Sequence, residues 1–121
     1  MASQFEVSAG KAIGYVSGGA VTQGTSKATT VVLNKVCGAI TMHDAELAAG
    51  AEVSFTVTNS EIAATDIVLV NHSSAGTAGS YLVQANSIAD GSFKITVSNV
   101  SAGALSQAIV LTFAVFKAAA S

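Results

Sequence analysis

Val53, Phe55 and Val57 alternate with Ser54, Thr56 and Thr58, and Phe93, Ile95 and Val97 alternate with Ser92, Lys94, Thr96 and Ser98. A repeat of two residues puts every apolar side chain on one face of an extended strand, so both segments must lay that face on a core. Two further segments, Thr65 to Val70 and Ala108 to Lys117, are apolar on both faces, with Ile67-Val68-Leu69-Val70 and Ile109-Val110-Leu111 as unbroken runs. Strands of that kind are expected at the centre of a sheet or beneath another subunit. Thr29 to Asn34, Gly38 to Met42 and Tyr81 to Ser87 complete a set of about seven strands. Turn signals at Asn59-Ser60, Ser73 to Gly79, Asp90-Gly91 and Ser101 to Gly103 recur at the short spacing of a sandwich or jelly roll. The expected fold is therefore all-β: a single antiparallel β-sandwich or jelly-roll-like domain with Phe55, Phe93, Ile95 and Phe113 in its core.

The chain has 121 residues, the size of one domain. It contains no proline, so its reversals depend on Gly, Asn, Asp and Ser. The Ala-rich piece from His43 to Ala51 is where helix competes with loop; Gly50 closes it, which leaves a loop with at most a turn of helix. Residues 1–27 differ from residues 28–121. Gly10, Gly14, Gly18, Gly19 and Gly24 interrupt short apolar pieces, Phe5-Glu6-Val7 and Ala12-Ile13-Gly14-Tyr15-Val16, that are too broken for core strands. The segment reads as an N-terminal arm whose Phe5, Val7, Ile13, Tyr15 and Val16 dock on a partner surface such as a neighbouring subunit, and residues 28–121 read as the β-sandwich module.

Charge narrows the function classes. Only 10% of residues are charged, with five Lys, no Arg and seven acids for a net charge of -2. A nucleic-acid partner calls for a basic stripe and an anionic membrane surface for a polybasic cluster, and this chain has neither. No run of 18 apolar residues occurs, so a membrane-spanning helix is not expected. The first residues, Met-Ala-Ser-Gln-Phe-Glu-Val, show neither the basic start nor the apolar stretch of a secretory signal, and synthesis in the cytoplasm is expected. Cys37 is the single cysteine and reads as a small inert hydrophobe. The sequons Asn71-His72-Ser73 and Asn99-Val100-Ser101 read as chance matches in a chain with 26 Ser and Thr.

Catalysis finds little to work with. His43-Asp44 with Glu46, and His72 with Ser73-Ser74, supply residue types used in general-base or triad chemistry, but neither spacing is specific, and neighbouring side chains on a strand point apart. A metal would need His43, Asp44, Glu46 and His72 to converge from distant loops. The glycines between Gly10 and Gly19 form no phosphate-binding motif. No enzyme, metal or cofactor is expected. Few charges and strands apolar on both sides favour a surface covered by copies of itself, because such an interface buries few unpaired ions. An edge strand also gains from pairing with a neighbour.

Several strings resemble a module of small phage and prophage virion proteins. They are Thr25 to Lys35 (TSKATTVVLNK), Cys37 to Met42 (CGAITM) and Leu47 to Ser60 (LAAGAEVSFTVTNS). Ala64 to Val68 (ATDIV), Gly79 to Tyr81 (GSY), Gly91 to Ile95 (GSFKI), Asn99 to Ser106 (NVSAGALS) and Val110 to Lys117 (VLTFAVFK) are similar to its remaining segments. The resemblance spans about residues 22–118 and leaves the first twenty outside. It implies a virion surface protein and carries no catalytic residues. A chain with no shaft and no second domain fits a capsid decoration, or cement, protein on the phage head better than a tail fibre. Such proteins are generally homotrimers, and the implied partners are copies of itself and the major capsid protein. A short fibre or fibre-tip protein is the alternative. A carbohydrate-binding sandwich is more remote, because the chain has no Trp and only Tyr15 and Tyr81.

Overall fold

A computed structural model describes residues 18–117. These form eight strands and no helix: β1 Gly19–Thr22, β2 Val31–Val32, β3 Cys37–Thr41, β4 Glu52–Thr58, β5 Ile67–Ser74, β6 Tyr81–Ala89, β7 Ser92–Asn99 and β8 Val110–Phe116. Sheet A has the order β1-β3-β8-β5 and sheet B the order β2-β4-β7-β6, and the two pack on one core as a β-sandwich. The pairing is nested. β3 pairs with β8 and β4 with β7, while β5 and β6 flank them, so the middle of the chain is wound between its two ends as in a jelly roll.

The period-two segments deliver their apolar faces as their spacing requires. In the β4–β7 ladder Val53 faces Val97, Phe55 faces Ile95 and Val57 faces Phe93. Phe55, Phe93, Ile95 and Phe113 are all buried, and the rings of Phe93 and Phe113 meet across the two sheets with centroids 5.5 Å apart. Leu111, Phe113 and Val115 carry the inner face of β8, which lies between β3 and β5. Each such buried side chain stabilises the fold by about 1.5–3 kcal/mol relative to exposure.

Two buried asparagines hold the ends of the sandwich. Asn59 donates through Nδ2 to the carbonyl of Lys35 and accepts the Glu61 N–H at Oδ1. Asn99 donates to the carbonyls of Leu47 and Gly103, and its Oδ1 accepts from the N–H and hydroxyl of Ser101. Buried amides are tolerable because every group is paired. The Asn99 sequon is thus committed to the interior, where a glycan has no room.

Several expectations change. The sandwich is not wholly antiparallel: β1 runs parallel to β3 and β2 parallel to β4. From Gly19 to Thr58 the chain alternates between the sheets, so strands two apart share a sheet and run the same way; a period of two records which face is buried and not the direction of the neighbour. The expected boundary at residue 27 also moves. β1 is a strand of sheet A, and Gln23 and Lys27 are buried, so residues 19–27 belong to the sandwich. Two of the glycines read as interruptions, Gly18 and Gly19, are close-approach positions: a Cβ on Gly18 would collide with the Cys37 carbonyl oxygen, and one on Gly19 would stand 2.8 Å from Leu33 Cδ1, whereas one on Gly24 meets nothing within 4 Å. Phe5, Val7, Ile13, Tyr15 and Val16 lie outside the described residues.

The doubly apolar strands split. β8 is central, but β5 is the edge of sheet A, and it runs past the expected end at Val70 to Ser74, two residues into the turn expected from Ser73 to Gly79. His43 to Ala51 holds no helix; Leu47 instead forms an isolated bridge with Leu105.

Candidate functional site: two unlike outer faces

The two histidines serve local structure. His43 Nδ1 accepts the Ala45 N–H at 3.0 Å and stands 3.6 Å from the exposed carboxylate of Asp44. His72, on β5, donates from Nε2 to the carbonyls of Ser74 and Ala75 and sets its ring edge-on to Tyr81 at 5.4 Å. Among the described residues no group of three His, Cys, Asp or Glu converges on a point. His43, Asp44 and Glu46 share the β3–β4 loop, and His72 stands apart on β5.

Two lysines are tied to the fold by their ammonium groups, Lys27 buried and Lys117 exposed. Lys27 donates from Nζ to the carbonyls of His43 and Gln107, the latter at 2.7 Å, and so ties the β1–β2 crossover to two other loops. Burial pushes its pKa below the ordinary value, partly opposed by Asp44. Lys117, just past β8, meets the buried carboxylate of Asp66 at 2.5 Å and the Glu61 carbonyl at 2.7 Å. Its charge is drawn into the β4–β5 turn instead of standing free beside the sheet.

A shallow hollow of about 320 Å³ lies where β5 turns into β6, lined by His72, Ser73, Gly76 and Tyr81 among others. Tyr81 is buried, and its hydroxyl is 2.8 Å from Gln107 Oε1, which also accepts the Thr77 N–H. Burial raises the phenol's pKa. The ring offers no exposed platform on which a sugar could stack.

The largest organised feature is the outer surface of sheet A. Strand alternation and register assign it strand by strand. β5 contributes Ile67, Leu69 and Asn71, which pair with Phe116, Ala114 and Thr112 of β8. β3 contributes Cys37, Ala39 and Thr41, and β1 contributes Ala20 and Thr22. No charged residue occurs in this set. Ile67 is 59% exposed, Leu69 56% and Phe116 38%, and a depression of about 200 Å³ opens between Leu69, Thr112 and Phe116.

Sheet B presents a different outer surface. Opposite one another stand Glu52 and Ser98, Ser54 and Thr96, Thr56 and Lys94, and Thr58 and Ser92, with Gln84 and Asn86 of β6 beside them. Its polar groups bond among themselves: Ser54 Oγ lies 2.7 Å from Thr96 Oγ1, which also accepts from Asn86 Nδ2. Leu82 and Val32 are its isolated exposed apolar residues, on opposite edge strands. The outer surface of sheet B is thus largely polar with two charged side chains, Glu52 and Lys94, and that of sheet A is uncharged.

The sequence pointed to half of the sheet A surface through the doubly apolar runs of β5 and β8. It gave no signal for β1 and β3, whose outward residues are small and neutral. No family model matches the chain, and no curated protein or solved structure matches it either.

Proposed function

We propose that this chain is a non-enzymatic structural protein of a phage particle, a capsid decoration or cement protein that binds the outside of the head as a homotrimer and reinforces it. The virion class, the location and the partner, the major capsid protein, rest on the resemblance of residues 22–118 to small virion surface modules. Assembly rests on one observation, the uncharged outer surface of sheet A with Ile67, Leu69 and Phe116 exposed on it. A solvated monomer covers such a surface with charge, whereas an interface core is depleted of charge. The buried Tyr81 and the internally bonded histidines speak for a scaffold over a sugar-binding or catalytic module.

Electron microscopy of the particle, with the chain labelled, tests the reading. Density distributed over the head lattice is expected. Label confined to the tail tip would overturn the decoration role in favour of a fibre-tip protein, and particles without label would overturn both.

A further inference from the structure

The geometry points to the outer surface of sheet A as the place where copies of this chain meet. This deepens the assembly reading above and rests on it. Around a symmetry axis, residues close to the axis face their own copies, so any charge there meets a like charge. Not one of the outward positions of β1, β3, β8 and β5 is charged, although the loops and sheet B carry Lys35, Asp44, Glu52 and Lys94. A partner chosen by charge complementarity has nothing on this surface to recognise. A second copy needs nothing of the kind, because it brings the same neutral surface.

The dimensions also agree. Four strands at about 4.8 Å spacing and roughly six residues long at ~3.3 Å each give a projected area of about 400 Å². Side-chain relief adds to this, which brings the accessible area to the order of the ~800 Å² that each partner buries in a stable interface. The edge strand β5 strengthens the assignment. Natural edges are kept short or guarded by Lys, Pro or a bulge. Of the four edge strands β1 has four residues and β2 two, whereas β5 has eight and β6 nine, both without charge or proline and with a bulge only near the far end. β5 differs from β6 in exposing two large apolar side chains, Ile67 and Leu69, against the single Leu82 of β6. Exposed apolar side chains and an open backbone edge therefore coincide on one side of the molecule.

Molar mass by light scattering on the intact chain, against concentration, tests this. Leu69→Lys introduces a charge on the surface, Asn71→Lys does the same at a position already polar and exposed, and Gln84→Lys is the sheet B control. The parent and the control should share one oligomeric mass. Leu69→Lys and Asn71→Lys should weaken association about a hundredfold or more and run at the 11.9 kDa of the monomer. If both keep the parent's mass, sheet A is not the interface, while the oligomer reading survives. If the parent is itself monomeric at every concentration, both fail, and loss of shell binding in the two variants would then identify the capsid as the occupant.

Discussion

The inner and outer faces of sheet B are opposites, apolar within and polar without, whereas sheet A is apolar or neutral on both sides. In β4 and β7 the phenylalanines and valines point inward and the serines, threonines, Glu52 and Lys94 outward. In β8 the inward Leu111, Phe113 and Val115 are backed by an outward Val110, Ala114 and Phe116. Two sheets of equal strand number built from one short chain thus present two different outer surfaces. A strand's inner face records the fold and its outer face records what the fold touches.

That comparison presumes one core beneath both surfaces. Phe93→Ala tests the presumption with the largest effect, because Phe93 is fully buried and packs on Phe113 of the other sheet. It should lower stability by about 3–5 kcal/mol, and both sheets should melt in a single transition. A small shift, or one sheet surviving the other, would separate the two halves.

Gly38→Ala sharpens the contrast from one side only. The added methyl would meet the Gly19 carbonyl oxygen at 2.8 Å and Leu33 Cδ2 at 2.7 Å, so β1 must move away from β3 at a cost of about 1–3 kcal/mol. Gly103→Ala meets nothing within 4 Å and serves as the control. Equal melting temperatures for the two would place β1 outside the sandwich.

Lys27 bridges the crossover between the sheets, and its effect depends on pH. Because burial lowers its folded-state pKa below the unfolded value near 10.5, the penalty on the charged form is fully present below the folded-state pKa and is relieved as pH rises toward 10.5. The parent should therefore gain stability over Lys27→Met across that window in chemical denaturation. Tyr81, whose raised pKa acts in the opposite direction above pH 10, is common to both proteins and cancels in the difference. A difference that does not change with pH would mean that Lys27 is not held in a desolvated site.

The smallest effect belongs to the outer face of sheet B. Thr56→Lys should alter stability by about 0.5 kcal/mol or less and leave assembly unchanged. A loss of assembly there would invert the roles assigned to the two sheets.

β4 and β7 were legible because each has one wet and one dry face, and strict alternation is how a sequence expresses that. β5 and β8 were legible as strands from their unbroken, β-branched apolar runs, but their placement was not: a segment apolar on both sides reads alike whether its second face meets a neighbouring strand layer or a neighbouring molecule. β1 escaped notice because Gly18 and Gly19 disrupt a strand pattern locally, while the close approach of Gly18 to the Cys37 backbone and of Gly19 to the Leu33 side chain is revealed only by the tertiary fold. Asn59 and Asn99 likewise look like turn residues. Their burial follows from carbonyls supplied by Lys35 and Leu47, far away in sequence.

Hydroxyl-radical footprinting of the assembled protein, read residue by residue, tests most directly whether sheet A is the covered face and sheet B the open one. Protection should fall on Ile67, Leu69 and Phe116 and vanish on dilution below the association range, while Val32 and Leu82 react alike in both states. Protection of Leu82 and Val32 with Leu69 and Phe116 freely oxidised would contradict the account.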